Sequence, residues 1–148
     1  MNDLKQFGDP ARHYTAKVSN ITVNGHLLAT STKKQPIYAI FDTGVTGMVI
    51  SRDLYDRRYS RAVENREKSF WGFVELSFQT TSISNGKVDR DNNVTMFANK
   101  PVTTPLGPSS WSATKKHREP YVIVVGLSFL NNTVVTIDID DEKLWVQT

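Results

Sequence analysis

The chain contains no cysteine, and that absence removes disulfides, thiolate catalysis and Cys-type zinc sites together. It fits a reducing compartment, so the expectation is a soluble protein inside the cell or within an organelle. The three histidines, His13, His26 and His117, are scattered without metal-ligand spacing. No metal and no other cofactor is therefore expected. No apolar run approaches the ~20 residues that a bilayer crossing needs, so no membrane partner is expected. The opening Met1-Asn2-Asp3-Leu4-Lys5 lacks an apolar h-region, and no secretory signal is read there. A strong charge imbalance is missing too. The formal net charge is +3, with bases interleaved among acids as in Glu64-Asn65-Arg66-Glu67-Lys68. A nucleic-acid reading rests only on the isoelectric point near 9.2 and the cluster Lys115-Lys116-His117-Arg118. That cluster is narrower than a binding stripe and reads better as a solvated loop. Three Asn-x-Thr triplets, at Asn20, Asn93 and Asn131, read as chance in a chain this rich in Asn and Thr.

What remains is β-pattern. With 148 residues, the chain fits one domain with a real core. Residues 1–15 read as an extended polar lead-in, and residues 16–148 as the domain. Lys17-Val18-Ser19-Asn20-Ile21-Thr22-Val23 alternates and runs into Asn24-Gly25, the strongest short hairpin signal, with a return strand from His26 to Thr30. Ile37-Tyr38-Ala39-Ile40-Phe41 is apolar at every position, which predicts an interior strand covered on both faces. Asp42-Thr43-Gly44-Val45-Thr46-Gly47 interrupts it as a tight loop, Met48-Val49-Ile50 resumes it, and Ser51 is placed to cap a short helix. Residues 56–68 read as exposed, residues 70–78 as an aromatic strand, residues 82–93 as a polar turn region, and Val94-Thr95-Met96-Phe97-Ala98 as a strand. Residues 101–120 hold four of the six prolines and read as a long surface loop. In that loop Trp111 reads either as a contact surface or as a residue folding back over the core. Tyr121-Val122-Ile123-Val124-Val125 is a buried strand ending at Gly126. A short helix over 127–132 and a terminal pair of strands complete the chain. The expected class is all-β with closed or packed sheets and one or two short helices. A strand, a Gly-bearing loop and a short helix occur at both 37–55 and 121–132, a loose internal echo.

Asp42 carries the chemistry. A carboxylate directly after five apolar residues is costly to bury unpaired, so a fold that keeps it either satisfies it or uses it. Gly44 and Gly47 would let the backbone turn and bring N–H groups to the carboxylate. The Thr43 hydroxyl would bond nearby backbone. Taken alone, the tripeptide reads better as an Asx-type turn in which Asp42 only organises the loop, since Asp-Thr-Gly occurs by chance.

The surrounding order is more specific. The segment Ile21-Thr22-Val23-Asn24-Gly25, then Ile37-Tyr38-Ala39-Ile40-Phe41-Asp42-Thr43-Gly44, then Met48-Val49-Ile50-Ser51, resembles the first half of a retropepsin, the single-domain aspartic protease of retroviral type. Val122-Ile123-Val124-Val125-Gly126-Leu127-Ser128-Phe129-Leu130 resembles that family's second marker, and the last two strands resemble its terminal hairpin. The likeness covers roughly residues 17–148. It implies a closed, barrel-like acid-protease fold and a homodimer in which two such loops meet and their carboxylates share a proton. Asp42 would be the catalytic half-dyad, Thr43 would brace the two loops, and Gly44 would offer backbone near the substrate.

Two departures bear on activity. Val45 is expected to crowd the site, where the family places a small residue. The flap region, residues 64–74, has only Gly72 between Trp71 and Phe73. Trp71, Gly72 and Phe73 either form a flap tip touching substrate or belong to a core or interface. The leading expectation is an aspartic endopeptidase acting as a homodimer on peptide or protein substrates. The alternative is a retropepsin-fold module that no longer cleaves and serves as a binding or assembly subunit of a larger complex.

Overall fold

Asn24 and Gly25 both take positive φ, 49° and 76°, the pair of values that a two-residue hairpin between right-twisted strands requires. They join β1 (Thr15–Val23) to β2 (His26–Thr30), as the sequence leads one to expect. The computed structural model describes residues 14–56, 73–80, 82–84, 87–89, 93–99, 102–106, 118–138, 140 and 143–147. The expected exposed stretch 57–68, Trp71, Gly72, Trp111 and residues 115–117 lie outside them.

β1 organises the main sheet because it bends. Its register shifts between Val18 and Asn20 against β5 (Phe73–Thr80), and between Ile21 and Thr22 against β2. Such irregularities re-aim a strand, so one strand serves three neighbours. The first half, Thr15 to Val18, pairs antiparallel with β3 (Ile37–Phe41). The second half pairs with β2 and with β5, and β5 pairs in turn with β8 (Asn93–Asn99). On the other side, β3 runs parallel to β10 (Tyr121–Val125). β10 pairs antiparallel with β4 (Met48–Ile50), and β4 runs parallel to β9 (Thr103–Pro105).

The class is all-β with short helices, α1 (Arg52–Leu54) and α2 (Leu127–Leu130). The expected closure into a barrel is not met. Among the described residues the pairing path is open, running β8-β5-β1-β3-β10-β4-β9 with β2 attached to β1. The β9 end is three residues long and finishes at Pro105, which has no N–H to extend a ladder. Two ribbons are not paired into this sheet among the described residues. β11 (Val134–Asp138) pairs with β12 (Lys143–Gln147), and β6 (Ser82–Ser84) with β7 (Lys87–Asp89). The second ribbon corrects the reading of 82–93 as turn alone, because polar residues with Asn-Gly at their centre can still form a hairpin. β9 likewise corrects the reading of 101–120 as loop throughout. Among the described residues no helix is long and apolar enough to cross a membrane.

The period of β3 explains its position. All five residues are buried. Ile37, Ala39 and Phe41 face the main core with Ile21, Val23, Ile50, Leu76, Phe78, Ile123 and Phe129. Tyr38 and Ile40 face the opposite way, against Val122 and Val124. A strand covered on both faces has no reason to alternate.

Ser51 occupies the N-cap position of α1, yet its side chain makes no capping bond. The hydroxyl is engaged by β10 instead. Val122 N–H donates to Ser51 Oγ at 2.7 Å, and Oγ donates to the Val122 carbonyl at 3.2 Å. Ser51 thereby adds a side-chain rung where the β4–β10 ladder ends. Ser51→Ala leaves the N–H of buried Val122 without this acceptor and is expected to cost about 1–3 kcal/mol. A lower urea midpoint at unchanged slope checks it.

Candidate functional site

Because β3 and β10 are parallel and in register from Ile37↔Tyr121 to Phe41↔Val125, the loops at their C-terminal ends emerge at the same sheet end. β3 delivers Asp42 there and β10 delivers Gly126. The ladder continues one step into the loop, where Asp42 N–H donates to the Val125 carbonyl at 3.1 Å. On the other side of β3, Phe41 N–H donates to the Tyr14 carbonyl at 2.9 Å. The backbone entering Asp42 is thus held by neighbours on both edges.

The loop closes on the carboxylate. Gly44 N–H donates to Asp42 Oδ1 at 2.8 Å, and Val45 N–H donates to the Asp42 carbonyl at 3.2 Å. The first bond is an Asx turn, which bears out the expectation of an N–H brought to the carboxylate. Asp42 itself is half-buried, while Thr43 and Gly44 are exposed. The backbone bond expected of the Thr43 hydroxyl is not made among the described residues.

Positive φ is not what the loop glycines supply. Gly25 is the one described glycine with positive φ, so neither Gly44 nor Gly47 is present for a left-handed turn. Gly47 is needed for close approach, since a Cβ there would overlap the Val102 carbonyl. That carbonyl also accepts Met48 N–H at 2.9 Å, which ties the loop exit to the lead-in of β9.

The base of the loop is a clamp that sequence reasoning did not find. The first N–H groups of a helix have no partners within the helix. In α2 the preceding Gly126 offers no side chain to cap them. The Asp42 loop supplies carbonyls instead. Gly126 N–H donates to Gly47 at 2.9 Å, Leu127 N–H to Val45 at 2.7 Å, and Ser128 N–H to Thr46 at 2.8 Å. Ser128 Oγ adds a second bond to the Thr46 carbonyl at 2.6 Å. The only sequence signal is a glycine in the loop after each of two apolar strands, and nothing marks Thr46 or Ser128. Ser128→Ala removes the hydroxyl bond but leaves the N–H in place, so a loss of about 1 kcal/mol is expected in chemical denaturation.

Val45 has a packing role of its own. Its side chain packs with Val49 against Tyr38, Ile40, Val122 and Val124, on the sheet face away from the main core. The expected flap contacts fall outside what the structure describes. Trp71 and Gly72 lie outside the described residues, and Phe73 opens β5 without its side chain being described. Among the described residues no group of His, Asp or Glu could hold a metal ion. No protein-family model matches the chain, and no curated protein matches it.

Proposed function

We propose that the chain is one subunit of an aspartic endopeptidase of retropepsin type, in which two Asp42 loops meet across a two-fold axis. The observation that carries this reading is the placement of Asp42. It sits at the end of a fully buried strand, in a loop whose backbone is bonded at entry, base and exit. One carboxylate oxygen is occupied by Gly44, and the side chain keeps partial access to solvent. A positioned carboxylate on a well-tethered loop is what general acid–base chemistry needs. One carboxylate cannot serve as both acid and base, whereas two in contact cannot both ionise and therefore share a proton. The ionised member takes a proton from water as that water attacks the peptide carbonyl, and the protonated member donates to the carbonyl oxygen. Exposed Thr43, with no partner of its own among the described residues, is placed to bond the partner loop. Substrate is an extended peptide or protein segment.

The second reading is a non-cleaving binding or assembly module of the same fold. The Gly44–Asp42 bond favours it, because an Asp that only organises a loop makes the same contact. The purified chain, assayed on a mixed peptide library at slightly acidic pH with its mass read by light scattering, separates the two. Cleavage by a dimer, blocked by a transition-state mimic, is the expected result. A monomer at micromolar concentration with no cleavage sinks the peptidase reading and leaves the module.

A further inference from the structure

The Asn24-Gly25 turn holds a second chemically reactive arrangement, independent of the Asp42 loop and of the peptidase reading. Asn-Gly is the dipeptide in which the backbone nitrogen of the second residue most readily attacks the side-chain amide of the first, since glycine has no Cβ to obstruct the approach. Whether it does so depends on how freely the asparagine can rotate. Asn24 is 8% exposed and is locked to β5 at two points. Its N–H donates to the Glu75 carbonyl at 2.9 Å, and its Oδ1 accepts Glu75 N–H at 3.0 Å. Its side chain thus serves as the last rung of the β1–β5 ladder, one step beyond the pair Val23↔Leu76. The Nδ2 amine of that amide is buried and has no hydrogen-bond partner among the described residues. The oxygen of the amide is thus held by the sheet, while the group that would leave is bonded to none of the described residues.

We propose that Asn24 is a gated deamidation site, closed while the β1–β5 ladder is formed and open when that end of the sheet separates. In the open state the Gly25 backbone nitrogen attacks Asn24 Cγ. A Cγ–N bond forms, the Cγ–Nδ2 bond breaks, and ammonia departs carrying the amide proton. Water then opens the cyclic imide at either carbonyl, leaving aspartate or isoaspartate, so one water is consumed for each ammonia released. Neither product suits the native turn. Isoaspartate adds a methylene to the backbone between two paired strands and disrupts their register. Aspartate places a charged carboxylate at a position only 8% exposed, where the one donor shown to the Asn24 side chain among the described residues is the Glu75 N–H. The reaction thus marks, irreversibly, chains whose hairpin has opened.

The test monitors the tryptic peptide spanning residues 18–33 in the full chain, aged in mildly alkaline buffer with and without denaturing urea. Fragmentation separates Asn24 from Asn20, and isoaspartyl methyltransferase labelling reports the rearranged product. Conversion in the folded protein is expected to be at least about tenfold slower than in urea, because it requires local opening. Leu76→Ala, which hollows the ladder beside Glu75, is expected to speed conversion under native conditions. Asn24→Asp is expected to lower the urea midpoint. Equal rates in folded and unfolded chains overturn the gate, and an unchanged midpoint for Asn24→Asp overturns the claim that the product is incompatible with the turn.

Discussion

Gly126→Ala is expected to cost roughly 3 kcal/mol or more of folding stability and to remove any activity of the Asp42 loop with it. The reason is contact, not backbone conformation. Gly126 has φ −96° and ψ −174°, values that alanine adopts without strain. A Cβ at this position would overlap the carbonyl oxygens of both Gly47 and Val45. Those same carbonyls accept the N–H groups of Gly126 and Leu127. The methyl group can be housed only by pushing the loop away from α2, which breaks two bonds of the clamp and leaves buried polar groups without partners. Gly25→Ala is the control. Gly25 has φ +76°, and a Cβ added there would meet nothing within 4 Å, so its cost is the left-handed backbone alone, about 1 kcal/mol. Urea denaturation of the two variants side by side should show the larger loss at Gly126. The reverse order would mean that the loop tolerates displacement and that the clamp does not fix it.

The contrast between these glycines bears on what a sequence can reveal. Asn24-Gly25 announces itself because its requirement is local: two adjacent residues at positive φ between two β-prone runs. The unbroken apolar run of β3 announces burial on both faces, and the parallel partner β10 carries the same signature. Asp42 stands out because a carboxylate follows that run directly. The clamp is not legible. It joins residues 45–47 to residues 126–128, and the match of three N–H groups to three carbonyls is made by backbone, which carries no residue code. The position of Val45 is hidden for a related reason. It packs against the cluster of Tyr38, Ile40, Val122 and Val124, a contact that its neighbours in sequence do not announce. Barrel closure is an expectation taken from resemblance, and it depends on edge strands whose pairing no local pattern states. The register shift in β1 leaves a faint trace, since Ser19 and Asn20 place two polar residues between buried Val18 and Ile21 where strict alternation would place one.

A dyad built from two chains makes a quantitative demand on mixtures. Asp42→Asn is expected to leave the fold in place, because the amide oxygen can still accept Gly44 N–H as Oδ1 does at 2.8 Å. Cleavage should fall by about 10²–10⁴-fold or more, since the amide can neither take a proton from water nor share one with its neighbour. Mixing the variant with the unmodified chain then counts the carboxylates. If both Asp42 side chains are needed and subunits exchange freely, activity follows the square of the unmodified fraction. An equal mixture retains about a quarter of the starting rate, the share of dimers with two intact loops. A chain that worked alone would retain about half. The measurement is peptide cleavage at constant total protein across a series of mixing ratios, after time for exchange. A linear dependence would show that each chain acts independently and would remove the dyad. No cleavage at any ratio, with a protein of native stability, would leave Asp42 as the organiser of its loop through the bond to Gly44.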